Sequence, residues 1–213
     1  MTAPRLSERL REGTRALHAQ AERSGVMRAL LRGELDRAGY ARLLRNLHPI
    51  YAALEAALER HATHPAIAPL HDPALARRAA LEADLGALAG ADWAQALAPA
   101  PAGAEYAARL AHCADADPPL LVAHAYVRYL GDLSGGQILH GIVRDSLRLG
   151  AGPGDAFYRY AGHDAVALAA RFRAGLDAIA IDAQRAEALV REAQAGFALH
   201  VRLFEQLAPA AAC

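Results

Sequence analysis

Apolar residues recur at helical spacing along almost the whole chain, and capping residues, glycines and prolines mark the breaks between runs. Ser7 is placed to cap a first helix running to about Arg23, with Leu6, Leu10 and Leu17 near one another on one stripe. Ser24 restarts a short helix that stops at Gly33. Asp36 caps a long one through about His61, with Leu43, Leu47, Leu54 and Leu58 as its core stripe, and Pro49 is expected to kink it. Asp72-Pro73 reads as a cap and first helical residue of a segment reaching about Gly90. Residues 99–103 read as a linker before a helix over about 104–114. Asp117-Pro118 opens a helix that continues to Gly150 despite internal glycines, and residues 150–154 form a loop. Asp164 and Asp182 open two last helices, the second closing near Leu207. With no strand-period run and no repeat, the pattern predicts an all-α single domain over 1–213, its core spanning about 6–207.

Composition agrees. Ala, Leu, Arg and Glu dominate, and these side chains lose little rotamer freedom in a helix. The 23 basic and 23 acidic residues cancel, which argues against a nucleic-acid partner or an acidic membrane surface. Every basic residue is arginine, so any anion site must use guanidinium forks. Two distant cysteines, Cys113 and Cys213, do not form a disulfide framework, and a reducing, cytoplasmic setting is expected. The first ten residues carry scattered charges rather than a secretory apolar run, and no stretch reaches the roughly 18 apolar residues of a membrane span. The apolar tail is too short to anchor the chain, and Cys213 stands last rather than fourth from the end as prenylation needs.

Ten histidines raise the question of a metal. The chain has no Glu-x-x-His pair for a di-iron bundle, no His-Glu-x-x-His, no Cys-x-x-Cys and no phosphate-binding glycine loop. His61 and His64 read as surface histidines near a helix end. Two segments carry more information. In Thr14–Glu22, Glu22 follows His18 by one turn, so its carboxylate can reach an imidazole N–H and suit the ring to metal binding. Arg11 and Arg15 stand close to the same face, where they can meet an anionic edge of a planar ligand. A histidine that simply packs on a half-apolar helix gives the same spacing. In His124–Gln137, Gly131, Gly135 and Gly136 sit inside a helix at a cost of about 1 kcal/mol each. Gly131 and Gly135 strip one face of side chains, for a flat ligand or for a closely packed second helix. Asp132 lies one turn after Arg128, which can hold it.

The run Tyr129-Leu130-Gly131-Asp132-Leu133-Ser134-Gly135-Gly136-Gln137 resembles the signature of heme oxygenases, and His18 with Glu22 resembles their proximal-ligand helix. Met27-Arg28, Ile50-Tyr51-Ala52-Ala53-Leu54-Glu55, Ala79-Ala80-Leu81-Glu82-Ala83-Asp84-Leu85 and Leu203-Phe204-Glu205 extend the resemblance in order over about 6–207. The resemblance implies a soluble, bacterial-type enzyme with heme b as both cofactor and substrate, held between a proximal helix and a kinked, glycine-rich distal helix. His18 is then the axial iron ligand, with Glu22 behind it. Gly131 and Gly135 approach the ring, and Gly136, Met27 and Phe197 contact it. Asp132 holds ordered water, supported by Arg128, Tyr51 and Tyr129. Arg11, Arg15 and Arg173 match positions that meet the propionates. At the first two, arginine replaces the lysine of mammalian members, and a further basic position is lost to Ala169. His200 stands where mammalian members have asparagine, either as a pH-sensitive proton donor or as a neutral repeat of the same hydrogen bond.

The chemistry so implied is O2- and reductant-dependent cleavage of heme to biliverdin, with carbon monoxide and ferrous iron released and the α-meso position favoured by the three arginines. Asp132→Ala is then expected to divert the site to peroxidase-like chemistry. No flavin or iron–sulfur motif is present, so electrons must come from a partner. With no membrane anchor evident, the resemblance implies a ferredoxin or flavodoxin and its reductase rather than a membrane reductase, and a monomer. Three other readings remain open at this point. They are a non-catalytic heme carrier, a thiamine-related enzyme of the same helical superfamily and a helical interaction module.

Overall fold

The computed structural model describes residues 4–149 and 153–209, and among them every regular element is helical. Ten α-helices appear in chain order: α1 (Leu6–Glu22), α2 (Gly25–Leu31), α3 (Arg37–Arg60), α4 (Arg78–Ala89), α5 (Trp93–Ala96), α6 (Pro101–Ala116), α7 (Leu121–Ala125), α8 (Gly131–Ser146), α9 (Ala165–Ala178) and α10 (Ala183–Gln206). A π-helical turn, Tyr126–Leu130, joins α7 to α8. The two longest helices organise the rest. α10 packs along α1, α6 and α7, while α3 packs on α4 and α6. Leu43, Leu47, Leu54 and Leu58 of the expected stripe are all buried, together with Leu10 and Leu30. Each such side chain contributes about 1.5–3 kcal/mol when fully withdrawn from water. α3 runs through Pro49 as one unbroken element.

The starts of α2, α3, α9 and α10 fall where caps were expected. Asp36 accepts the Gly39 amide at 2.7 Å, Asp164 accepts those of Val166 and Ala167, and Asp182 accepts that of Arg185. Others differ because a distant side chain takes over the capping. Ser7 lies inside α1 rather than before it, and its amide donates to Asp177 Oδ1 at 2.9 Å, so α1 starts after Arg5. Asp72 caps only a 3-10 turn at Pro73–Leu75. α4 begins at Arg78, because Glu55 of α3 accepts the Arg77 and Arg78 amides at 2.6 and 3.1 Å. α6 starts inside the expected linker, with Pro101 in its first turn and the Ala100 amide held by Asn46 Oδ1 at 2.6 Å. The short α5 was not anticipated. Asp117 caps nothing; its carboxylate pairs with Arg185 at 2.6 Å. The long helix expected from Asp117 is a composite of a 3-10 turn, α7, the π turn and α8, and it ends at Ser146. Cys213, Gly150 and the first residues of the expected 150–154 loop lie outside the described residues.

The α1–α2 junction sets one edge of the site. Gly25 has φ +38, and a Cβ there would run into the Phe204 carbonyl of α10, so only glycine lets α2 turn back this close to α10. That turn places Met27 and Leu31 beside the end of α1 and opposite α8.

Candidate active-site cleft

A cleft separates α1 from the π turn and α8. It has two connected lobes of about 450 and 340 Å³, sharing His18, Val127, Gly131, Ser134 and Phe197 in their walls. The first lobe carries Arg11, Arg15 and Arg173 with Thr14 and Tyr126; the second carries Met27, Leu31, Ile138, Leu139 and Phe204. One end is therefore basic and the other apolar. Ile138 is 66% exposed and Leu31 37%, so the apolar lip meets water unless something flat covers it.

On the α1 side, His18 is half exposed, and its ring meets Phe197 edge-on at 5.7 Å between centroids. Its Nδ1 lies 3.7 Å from Glu22 Oε1, as the one-turn spacing predicts. Arg11 and Arg15 are exposed on the same helix, Arg15 paired loosely with Glu12 at 3.1 Å. Across the cleft, Arg173 of α9 reaches Ser134 Oγ at 3.4 Å.

The opposite side is built differently. Gly131 and Gly135 line it, and a Cβ added to either would meet nothing within 4 Å. Close packing of a second helix therefore does not explain these two glycines; their bare backbone faces the open cleft. Gly136 points elsewhere, against Tyr158. Between them Asp132 is buried, with both carboxylate oxygens hydrogen-bonded. Tyr51 Oη of α3 donates to Asp132 Oδ2, and Arg128 Nη2 donates to Oδ1 at 3.1 Å. Arg128 also donates from Nε and Nη2 to Tyr51 Oη at 3.0 and 2.6 Å. Its remaining Nη1 donates to His200 Nε2 at 2.6 Å, while His200 Nδ1 contacts the Gly196 carbonyl at 3.1 Å.

This wiring fixes protonation. Arginine offers no acceptor, so His200 Nε2 must be the accepting nitrogen and Nδ1 the one that carries hydrogen. Burial, together with the Arg128 charge, holds His200 well below its ordinary value of 6.5. His200 is thus a neutral acceptor, the second of the two roles expected for it, and not a pH-sensitive donor. Burial also pushes the Asp132 carboxyl above its ordinary 3.8, opposed by Arg128 and by the Tyr51 hydroxyl. Tyr51 is driven well above 10.0 by burial, so it stays a hydroxyl donor.

Of the residues singled out in the sequence, His18, Glu22, Met27, Arg11, Arg15, Arg128, Gly131, Asp132, Gly135, Arg173, Phe197 and His200 all line the cleft. Tyr51 stands one layer behind, touching Asp132 and Arg128. Tyr129 lies off the cleft wall, buried with its ring edge-on to Phe172. Ala169, where a base was missing, is buried off the cleft as well. The sequence reading missed Thr14. Its hydroxyl donates to the Leu10 carbonyl at 2.7 Å and meets Tyr126 Oη at 3.2 Å across the cleft floor. The one-turn spacing of Thr14 and His18 was the available signal. Tyr158 and Leu47 also line the apolar lobe and left no local trace in the sequence.

Known proteins resemble this chain in sequence and in fold. The model of the family described as heme oxygenase matches residues 4–206. Heme oxygenase 1 of Nostoc sp. is 38% identical over 203 residues, covering 95% of this chain and 85% of that protein. Heme oxygenase 1 of Homo sapiens is 38% identical over 208 residues, covering 95% and 71%. The crystal structure of heme oxygenase-1 from the cyanobacterium Synechocystis sp. in complex with heme superposes with a TM-score of 0.91 at 38% identity, over 96% of this chain and 92% of that one. The heme oxygenase of Leptospira interrogans superposes equally well at 33% identity, over 95% and 100%. Among the described residues no helix is long and apolar enough to cross a membrane. This chain belongs to the heme oxygenase family.

Proposed function

We propose that this chain cleaves heme b, with O2 and electrons from an external donor, to biliverdin IXα, carbon monoxide and ferrous iron. The observation that carries the reading is the pair Gly131 and Gly135, which leave helix backbone bare opposite His18 with buried Asp132 between them. The residues fit the group on three counts. The cleft is basic at one end, for two carboxylates, and apolar at the other, for the ring edge. An imidazole stands free of strong protein partners on one face, and a cradle without side chains forms the other.

Heme would be held by His18 at the iron, by Arg11, Arg15 and Arg173 at the propionates, and by Met27, Phe197 and the glycine backbone along the ring. When bound it supplies both the iron that takes O2 and the carbon bridge that is cut. The rest of the chemistry falls to the protein. Glu22 keeps a hydrogen-bond acceptor near His18 Nδ1, which orients the ring and favours a basic Nε2. Asp132 orders water in the cleft, through which protons are delivered, and the Tyr51 hydroxyl, donating to Oδ2, holds the carboxylate in place. Arg128 holds both groups at fixed distance, so the proton path is set before the substrate arrives. The glycine face brings no side chains to the cleft and leaves room beside the helix backbone. The three basic groups at one end orient the ring, which favours the α-meso product.

The donor in this reading is a ferredoxin or flavodoxin with its reductase. The enzyme works as a single-domain monomer in the cytoplasm, where the buried thiol Cys113 stays reduced. The test is anaerobic heme titration, then reduction by ascorbate or ferredoxin in air, followed by absorbance. Loss of the Soret band with appearance of biliverdin and carbon monoxide supports the reading. A histidine-ligated complex whose Soret band survives both reductants makes the chain a heme carrier instead.

A further inference from the structure

Behind the distal wall lies a buried cluster that the cleft does not use. Cys113 of α6, His124 of α7 and Glu192 of α10 converge there, the first two with no exposure and Glu192 at 5%. Glu192 Oε1 lies 2.9 Å from His124 Nε2 and 3.6 Å from Cys113 Sγ, and the sulfur lies 3.8 Å from the same nitrogen. One sulfur, one nitrogen and one oxygen thus form a compact triangle. Zinc bonds of about 2.3 Å to sulfur and about 2.0 Å to nitrogen and oxygen, at tetrahedral angles, separate the ligand atoms by roughly 3.3–3.6 Å. The observed edges bracket that range, so shifts of a few tenths of an ångström would close it.

We propose that Cys113, His124 and Glu192 form a structural binding site for a divalent ion of zinc type. The donor set is one that borderline-soft ions prefer over calcium or magnesium. The other nitrogen of His124, Nδ1, meets Tyr106 Oη at 3.1 Å, which is how a metal-bound imidazole is usually steadied. On binding, the Cys113 thiol gives up its proton to solvent, and the His124 hydrogen moves from Nε2 to Nδ1, where it donates to Tyr106. Arg109 now holds Glu192, donating from Nε to Oε1 at 2.8 Å and from Nη2 to Oε2. Its side chain is 36% exposed, so it can withdraw toward water and free the second carboxylate oxygen as a fourth donor. Burial raises the metal-free thiol to about 12, which keeps it inert in the absence of an ion.

Such an ion would tie three helices together just behind the catalytic wall. His124 precedes Arg128 by one turn of the same helical run, and the Tyr106 ring stands edge-on to His200 at 4.8 Å. No ligand position faces the cleft, so the role is structural. The site is independent of catalysis, and its test uses heme binding only as a check of native folding and does not use turnover.

Because the cluster is buried, the full chain is unfolded and refolded with excess Zn2+ or Co2+, dialysed, and checked for native fold by heme binding. Elemental analysis is expected to find about one retained Zn2+ per chain, and the Co2+ form to show a thiolate-to-cobalt charge-transfer band. Both disappear in Cys113→Ala, and retention falls in Glu192→Gln, while heme binding persists. The melting temperature rises with Zn2+ in the parent and not in Cys113→Ala. Refolded parent that binds heme but keeps no ion overturns the proposal. So does a cobalt spectrum without the sulfur band, or equal retention by Cys113→Ala.

Discussion

The two walls of the cleft are made of the same secondary structure and prepared in opposite ways. On α1, the functional groups stand half or fully exposed, held only by weak ion pairs to Glu12 and Glu22. On the π turn and α8, Arg128 and Asp132 are buried in a hydrogen-bonded network with Tyr51, His200 and the Gly196 carbonyl. Exposed ion pairs of this kind contribute only about 0–1 kcal/mol, whereas breaking one partner out of a buried pair costs about 3–5 kcal/mol. The α1 wall is therefore a set of groups waiting for a ligand to organise them. The distal wall is organised by the fold itself. In the proposed function the exposed wall captures the ligand and the rigid one handles protons, so residues matched for function differ sharply in what they do for stability.

His18→Ala gives the largest functional effect and separates the walls most cleanly. Turnover should be abolished and then restored in part by added imidazole, which fills the gap left by the ring. Because the side chain is 52% exposed, the melting temperature of the heme-free protein should barely move, within about 0.5 kcal/mol of stability. A variant that keeps full biliverdin production without imidazole would remove His18 from the iron.

Asp132→Ala should damage both properties at once. Loss of a positioned proton-transfer group lowers biliverdin formation by about 10²–10⁴-fold. Arg128 is left buried with a missing counter-charge, and the heme-free protein should lose about 3 kcal/mol in denaturant unfolding. Parental turnover in this variant would mean the proton path lies elsewhere. Undiminished stability would mean that Arg128 finds another partner, and the contrast between the walls would weaken.

The two glycines sharpen the comparison in a third way. An alanine methyl at Gly135 meets nothing within 4 Å, so Gly135→Ala should stabilise the heme-free protein by up to about 1 kcal/mol. The same methyl occupies the face meant for the ring, and heme affinity or regiochemistry should suffer. Gly136→Ala meets Tyr158 at 3.5 Å instead and should leave heme binding alone. If the two variants behave alike in heme titrations, the cradle is not where the ligand lies.

The same contrast explains what the sequence made legible. Contacts within one helix turn were readable: His18 with Glu22, Arg128 with Asp132, and the caps Asp36, Asp164 and Asp182. Contacts across the fold were not. Glu55 capping α4, Asp177 taking the Ser7 amide and Asn46 holding Ala100 join residues 22 to 170 positions apart. Each moved a helix start without changing a local pattern. The π turn at Tyr126–Leu130 has no sequence signature of its own, since it is set by how α7 and α8 pack. Cys113, His124 and Glu192 likewise follow no motif of fixed spacing, because they meet only in three dimensions.

His200 should give the smallest effect, and its sign tests how rigid the distal wall is. The folded protein keeps this imidazole neutral well below 6.5, whereas the unfolded chain protonates it near that value. The unfolded state therefore binds more protons as pH falls below about 6.5, and stability is lost progressively on acidification through that window. His200→Asn removes the titrating group while keeping a side chain that can accept from Arg128 through its carbonyl oxygen. Its stability should decline less steeply between about pH 6.5 and 5 than that of the parent. Turnover near neutral pH, and the shape of its pH profile, should stay close to parental, because His200 acts as an acceptor and exchanges no proton in that range. A shifted activity profile with an unchanged stability slope would instead make His200 a proton donor, and the wall that looks fixed would be one that titrates.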